Sequence, residues 1–143
     1  MAFADPRTRR TIAFSVAAAA LLGVLLALQL MTSPQSIGAR EAYALLQKDP
    51  AVVVLDVRTE EEFRSRTGRL ERAILIPVES LGDRLEELSR YRGSVILVYC
   101  RSGRRSRNAV SLLQRGGHRA VNLEGGLLEW SSLGFPVVME KER

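Results

Sequence analysis

The segment Cys100-Arg101-Ser102-Gly103-Arg104-Arg105-Ser106 holds the chain's one cysteine, and four arginines and a glycine occupy the seven positions after it. A glycine-bearing loop curled between a strand and a helix aims successive backbone N–H groups inward. The positive end of the following helix adds to them, so such a loop favours an anion: a thiolate, a persulfide or a bound oxyanion. Positive charge from Arg101, Arg104 and Arg105 should ionise the thiol below its ordinary value of about 8.5, and the thiolate is the reactive form. Cys100 so placed can attack the outer sulfur of an anionic donor, hold it as a persulfide and release it to a second thiol or to cyanide, which is covalent two-step catalysis. A free cysteine is more often a small buried hydrophobe. An inert thiol gains nothing from an anion nest, however, and arginines at a helix start oppose the dipole unless a negative group is held there. Arg107 reads as a solvated helix residue.

Other chemistries lack their residues. One cysteine excludes an internal disulfide, and one cysteine with one histidine and scattered carboxylates gives no zinc spacing, so neither metal nor cofactor is expected. His118 lies in Gly116-Gly117-His118-Arg119, a turn that predicts a surface position and no Cys–His pair. Trp130 and Phe135 read as core or core-edge residues. The net charge is +5, and beyond position 31 it falls to 18 basic against 15 acidic residues. The basic cluster at 100–107 has no interleaved aromatic residue, which fits a small anion and not a nucleic acid.

The elements that must position this loop follow from the apolar pattern. Short runs at 52–55, 73–76 and 95–99, with a weaker one at 120–123, have strand length. Between them lie segments with helical spacing: 60–66, then Leu81, Leu85 and Leu88 among acids, then Ala109, Val110, Leu112 and Leu113 before Gly116-Gly117. Ser36 is a candidate N-cap for a further helix through Glu41, Ala42, Leu45 and Leu46. Strands rich in Val, Ile and Leu that alternate with helices predict an α/β fold with a mostly parallel sheet covered on both faces. Ligands of such sheets sit at the carboxyl ends of strands, where Cys100 follows 95–99 and precedes a helix beginning near Ser106.

The N-terminal part reads separately. Residues 11–33 carry no charge, and 12–31 are twenty residues interrupted only by Ser15, Gly23 and Gln29. A helix of that length at ~1.5 Å per residue spans the ~30 Å hydrocarbon layer. The competing reading is a cleaved signal peptide, since Arg7, Arg9 and Arg10 precede the run. Its length exceeds the usual h-region, and Met31-Thr32-Ser33 is a weak cleavage site. A buried core helix is a poor fit for a terminal segment apolar on every face. The expected organisation is a basic tail at 1–11, a transmembrane helix at 12–31, a linker at 32–36, one domain at 37–138 and a charged tail at 139–143. Three arginines before the span, against Arg40 and Lys48 after it, place the N-terminus in the cytoplasm and the domain on the outer, periplasmic side.

Several motifs in order resemble the rhodanese family: Leu55-Asp56-Val57-Arg58, Glu62-Phe63, Cys100 through Ser106, Asn122-Leu123-Glu124-Gly125-Gly126 with Trp130, and Gly134-Phe135-Pro136-Val137. The similarity covers about 36–138. It implies a rhodanese-like three-layer α/β fold and a sulfurtransferase of the thiosulfate type with a persulfide at Cys100. Arg101, Ser102, Gly103, Arg104 and Arg105 would be the substrate-binding loop, with Arg101 and Arg104 suited to a dianion such as thiosulfate. Asp56, Arg58 and Ser106 would support that loop. Phosphatases of the same architecture place five residues between cysteine and arginine. Here Arg105 has four before it and Ser106 follows, which favours sulfur transfer. The family's Gly-His-Ile-Pro-Gly-Ala turn is replaced by Gly68-Arg69-Leu70-Glu71-Arg72-Ala73, a departure in scaffolding. The partners implied are an anionic sulfur donor, a thiol or cyanide acceptor and the membrane, with no nucleic acid. Two alternatives stay open: a persulfide relay fed by a protein, and a catalytically silent interaction module.

Overall fold

The computed structural model describes residues 35–139. The expected transmembrane segment at 12–31, the tail before it and the end of the C-terminal tail lie outside the described residues. Among the described residues no helix is long and apolar enough to cross a membrane.

Five strands make one sheet: β1 (Ser36–Ile37), β2 (Val53–Asp56), β3 (Ile74–Leu75), β4 (Val95–Tyr99) and β5 (Arg119–Leu123). The order is β1-β5-β4-β2-β3, and every pairing between them is parallel. The central strand β4, VILVY, is buried from Ile96 to Tyr99, as a strand covered on both faces must be. Its side chains alternate between two cores. Ile96, Val98 and Cys100 join Leu55, Leu88, Ala109, Val110 and Leu113 beneath helix α3 (Arg104–Arg115) and the 3₁₀ helix Leu85–Tyr91. Leu97 and Tyr99 join Val54, Ala39, Ala42, Leu123, Leu127 and Trp130 beneath α1 (Ala39–Lys48) and α4 (Gly126–Ser132). The short α2 (Glu60–Arg64) buries no residue and starts with a capping box, Thr59 receiving the Glu62 N–H while Glu62 receives the Thr59 N–H.

After β2 the chain runs outward to edge strand β3, whereas after β4 it runs the other way to β5. The carboxyl ends of β2 and β4 therefore flank a switch point, the place where such sheets bind ligands. Asp56 ends β2 and Cys100 follows β4, with Asp56 opposite Tyr99 in the ladder.

Four sequence expectations change. Ser36 lies in β1 and caps no helix. Gly38 precedes α1, because Asn122 N–H reaches Gln35 O at 2.7 Å and Glu124 N–H reaches Ile37 O at 3.0 Å, drawing this segment in as a fifth strand. The sheet thus begins at Ser36, one residue inside the expected linker. The Leu81 to Leu88 stretch forms turns and then the 3₁₀ helix, in which the three-residue spacing of Leu85, Leu88 and Tyr91 stacks them on one side. Helix α3 starts two residues before Ser106, at Arg104.

The fourth change is His118, which is buried at 5% exposure, its Nδ1 without a hydrogen-bond partner. A Cβ on Gly116 would stand 3.6 Å from both the His118 ring and the Leu85 side chain, so the turn lies close to Leu85. Burial, reinforced by the charge of Arg92 and opposed by Glu86, lowers its pKa from the ordinary 6.5. The unfolded chain then binds more protons at this site, so the full contribution to stability is present above about pH 6.5 and falls away as the pH drops toward the folded-state value. Urea midpoints of the wild type should decline between pH 7 and pH 5 more steeply than those of His118→Gln. Parallel curves would show that His118 does not titrate on unfolding.

Candidate active site

Cys100 is 1% exposed at the point where β4 gives way to the loop. Gly103 N–H points at Sγ from 3.2 Å, and the backbone N–H groups of Ser102 and Ser106 also favour its charged form. The Ser106 hydroxyl lies 3.4 Å from Sγ and 2.6 Å from Asn122 Oδ1. Burial pushes the thiol pKa up. The donations from Ser106, Ser102 and Gly103 outweigh it, and the thiol ionises below its ordinary value.

The loop takes this curl because two glycines permit it. Gly103 has φ +86°, and a Cβ there would meet Leu123 O at 3.0 Å and Gly125 N at 3.1 Å. Gly126 has φ +57°, and a Cβ would stand 2.5 Å from Cys100 O and 2.6 Å from Arg101 O. That closeness lets α4 bind the loop from outside, Leu127 N–H donating to Cys100 O at 2.9 Å and Leu128 N–H to Arg101 O at 3.0 Å.

The arginines divide into two kinds. Arg105 is half-buried and grips Glu62 with both guanidinium ends at 2.7 Å, while its charge also acts on Cys100. The Arg105 bonds, with the Thr59 N–H, hold the Glu62 carboxyl at a pKa of about 2 despite partial burial. Arg101 and Arg104 are exposed. The charge that seemed unfavourable at the start of α3 is thus met, at Arg105, by a carboxylate of the protein itself.

Asp56 and Arg58 are buried and bound to one another: Arg58 Nη2 lies 2.7 Å from Asp56 Oδ2, Nε 3.0 Å from both oxygens, and the Arg58 N–H 2.9 Å from Oδ1. Arg58 also donates to Thr67 Oγ1 and Gly68 O, and its guanidinium lies 5.5 Å from the centre of the Tyr99 ring. The Asp56 carboxylate acts on Tyr99, the residue before Cys100. The hydrogen bonds to the sulfur come from the Gly103 N–H and the Ser106 hydroxyl, so Asp56 and Arg58 bear on the loop through β4. Beside Arg101 opens a cavity of about 510 Å³ lined by Arg58, Glu62, Arg66, Leu127, Leu128 and others. Leu128 is 54% exposed at its rim.

Three residues at this site escaped the functional reading of the sequence. Glu62 was visible as the fourth member of a T-x-x-E capping box, which explains its position but not its second partner. Asn122 was a polar residue inside an apolar run, the signal of a buried hydrogen-bond role. Gly126 stood at the end of the Asn122 to Gly126 motif, which carried the family resemblance but gave it no role.

Residues 38–133 match the rhodanese-like domain family. The chain belongs to that family. A sulfurtransferase of Allochromatium vinosum is 35% identical over 88 residues, which cover 61% of this chain and 78% of that protein. The HTH-type transcriptional regulator Rv0324 of Mycobacterium tuberculosis is 34% identical over 125 residues, 86% of this chain but half the length of the regulator. Among solved structures, a rhodanese-related protein from Thermoplasma volcanium superposes with a TM-score of 0.67 at 35% identity, over 74% of this chain and 99% of that one. The fold is the rhodanese-like α/β fold, a parallel sheet flanked by helices, and its one cysteine stands where the donors converge.

The Asp56–Arg58 pair yields a stability prediction. Asp56→Ala leaves a buried guanidinium uncompensated and should cost about 3–5 kcal/mol, whereas the paired replacement Asp56→Leu/Arg58→Met should recover most of the loss. Urea denaturation of the three chains measures both. A loss below about 1 kcal/mol for Asp56→Ala would mean that the pair is far better solvated than its burial indicates.

Proposed function

We propose that this rhodanese-like protein is a membrane-anchored sulfurtransferase that moves sulfane sulfur from thiosulfate, or a similar anionic donor, through a Cys100 persulfide to a thiol or cyanide acceptor. The observation that carries this reading is the set of N–H and hydroxyl donors converging on one buried sulfur. In the first half-reaction the Cys100 thiolate attacks the outer sulfur of thiosulfate. A sulfur–sulfur bond forms at Cys100 while the donor's own breaks, and its electron pair leaves on sulfite. In the second, an acceptor thiolate or cyanide attacks the outer sulfur of the persulfide and the Cys100 thiolate departs, ready for another turn. Each state holds a negative sulfur in the same nest, and no proton needs to move at the reacting atoms.

Arg101 and Arg104, exposed beside the nest, are the cations available to a donor's dianionic end. The cavity along Arg101 and Leu128 is far larger than thiosulfate or cyanide and would receive an organic thiol. The anchor is residues 12–31, uncharged and long enough to span a bilayer. The arginines before it favour a cytoplasmic N-terminus and a domain outside.

Steady-state assays of the full chain test the reading. Wild type should release sulfite from thiosulfate and form thiocyanate from cyanide, and Cys100→Ser should do neither. Leu128→Asp should raise KM for an anionic thiol such as glutathione several-fold and leave cyanide turnover unchanged. Thiocyanate formation by Cys100→Ser would overturn the mechanism, and equal effects of Leu128→Asp on both acceptors would overturn the assignment of the cavity. If persulfide reached Cys100 only from a persulfidated protein, the chain would be a relay. If none reached it from any donor, the fold would serve as a docking module. The anchor predicts that the full chain stays with membranes through a carbonate wash, and release of intact chain would contradict it.

A further inference from the structure

The Ser106 hydroxyl has one proton and stands between two acceptors, Asn122 Oδ1 at 2.6 Å and Cys100 Sγ at 3.4 Å. With the proton on the shorter bond, Ser106 turns lone pairs toward the sulfur. That suits a neutral thiol, which can donate to Oγ, and opposes a thiolate, which cannot. A charged sulfur needs the Ser106 proton aimed at it. Two oxygens 2.6 Å apart would then face one another with no hydrogen between them, unless the Asn122 amide turned over.

The amide can turn over because it meets a hydroxyl at each end. Its other end lies 3.1 Å from Ser36 Oγ, and a hydroxyl serves equally as donor or acceptor. In the turned arrangement Asn122 Nδ2 donates to Ser106, Ser106 donates to the sulfur, and Ser36 donates to Oδ1. Every group keeps a partner in both arrangements. Asn122 is fully buried, so an unpartnered amide would be costly there, while Ser36 is exposed and reverses its own hydrogen bond against solvent. The ladder fixes the geometry: Ser36 is the register partner of Asn122, and the Asn122 N–H reaches Gln35 O at 2.7 Å.

We propose that Asn122 is a positioning residue whose amide turns over between Ser36 and Ser106 and so directs the Ser106 proton to the Cys100 sulfur when that sulfur is charged. This deepens the sulfurtransferase reading and rests on it for its purpose, though the hydrogen-bond relay is a property of the free protein. The neighbouring elements present other groups. From α3 the charge of Arg105 acts on the sulfur, clamped by Glu62 of α2. Arg101 and Arg104 are exposed, Arg58 beyond β2 is tied to Asp56, and α4 presents the backbone of Gly126 and Leu127. None of these groups is a hydrogen-bond partner of the Ser106 side chain among the described contacts.

The pH dependence of iodoacetamide alkylation of Cys100 in the full chain reads the thiolate without requiring sulfur transfer. Asn122→Asp, when ionised, offers Ser106 an acceptor that cannot donate, and should raise the midpoint by about one to two pH units, the size of one lost hydrogen bond to a charged sulfur. Asn122→Leu removes the competing acceptor and should leave the midpoint at or below that of the wild type, whereas packing damage would move both variants the same way. Ser36→Ala, an exposed change that should not disturb folding, removes the donor of the turned amide and should raise the midpoint by up to about one unit. In a Ser106→Ala background the effect of Ser36→Ala should vanish, and that of Asn122→Asp should shrink by more than half. A wild-type midpoint in Ser36→Ala, or an undiminished Asn122→Asp shift without the Ser106 hydroxyl, would overturn the proposal. Should these shifts appear in a protein that transfers no sulfur, the relay would stand and the sulfurtransferase reading would fail.

Discussion

A negatively charged sulfur at 1% exposure is stable only where fixed dipoles replace the water it has lost, and the rest of this domain is arranged around that requirement. Burying an ion costs several kcal/mol, and each hydrogen bond to a charged group returns roughly 1.5–3 kcal/mol. The Gly103 N–H and the Ser106 hydroxyl, with the backbone of Ser102 and Ser106 beside them, turn the balance, and the thiol ionises below its ordinary value despite its burial. The backbone donors cost no reorganisation during reaction because the loop is already bent around the sulfur, and only the Ser106 hydroxyl has its proton to redirect. Each fixture of the loop can be traced to this demand: a left-handed glycine at 103, the approach of Gly126 to two carbonyls, and the clamp between Arg105 and Glu62.

The fold supplies the place for such a loop. A parallel sheet whose connections diverge between β2 and β4 leaves a crevice at their carboxyl ends, and the central, fully covered strand delivers Cys100 into it. On one side the buried Asp56–Arg58 pair ties the end of β2 to the chain around Gly68. On the other, α4 caps the loop through its first N–H groups. The two cores above and below the sheet hold these parts in register, with Tyr99 in one and Cys100 in the other.

Much of this was legible in the sequence. The strands at 53–56 and 95–99 announced themselves through the continuous apolar runs 52–55 and 95–99, and Cys100 with its arginines and glycine marked the loop, because strand burial and anion nests leave compositional traces. What the sequence left hidden depends on contacts distant along the chain. Ser36 looks like a helix cap until Asn122, 86 positions away, draws it into the sheet. Glu62 reads as a local capping residue, yet its carboxylate is shared with Arg105, 43 positions on. His118 sits in a sequence that favours an exposed turn, yet it is buried where that turn lies close to Leu85, 33 positions back. Local pattern cannot carry such pairings, since each half is an ordinary residue for its own segment.

The central claim is that the nest exists to hold a sulfur atom on Cys100, and intact-mass spectrometry of the full chain after thiosulfate treatment tests it most directly. The account predicts the gain of one sulfur atom on the wild type, its removal by cyanide, and no gain on Cys100→Ser. An unchanged mass after thiosulfate, or a cyanide-labile sulfur on Cys100→Ser, would contradict it.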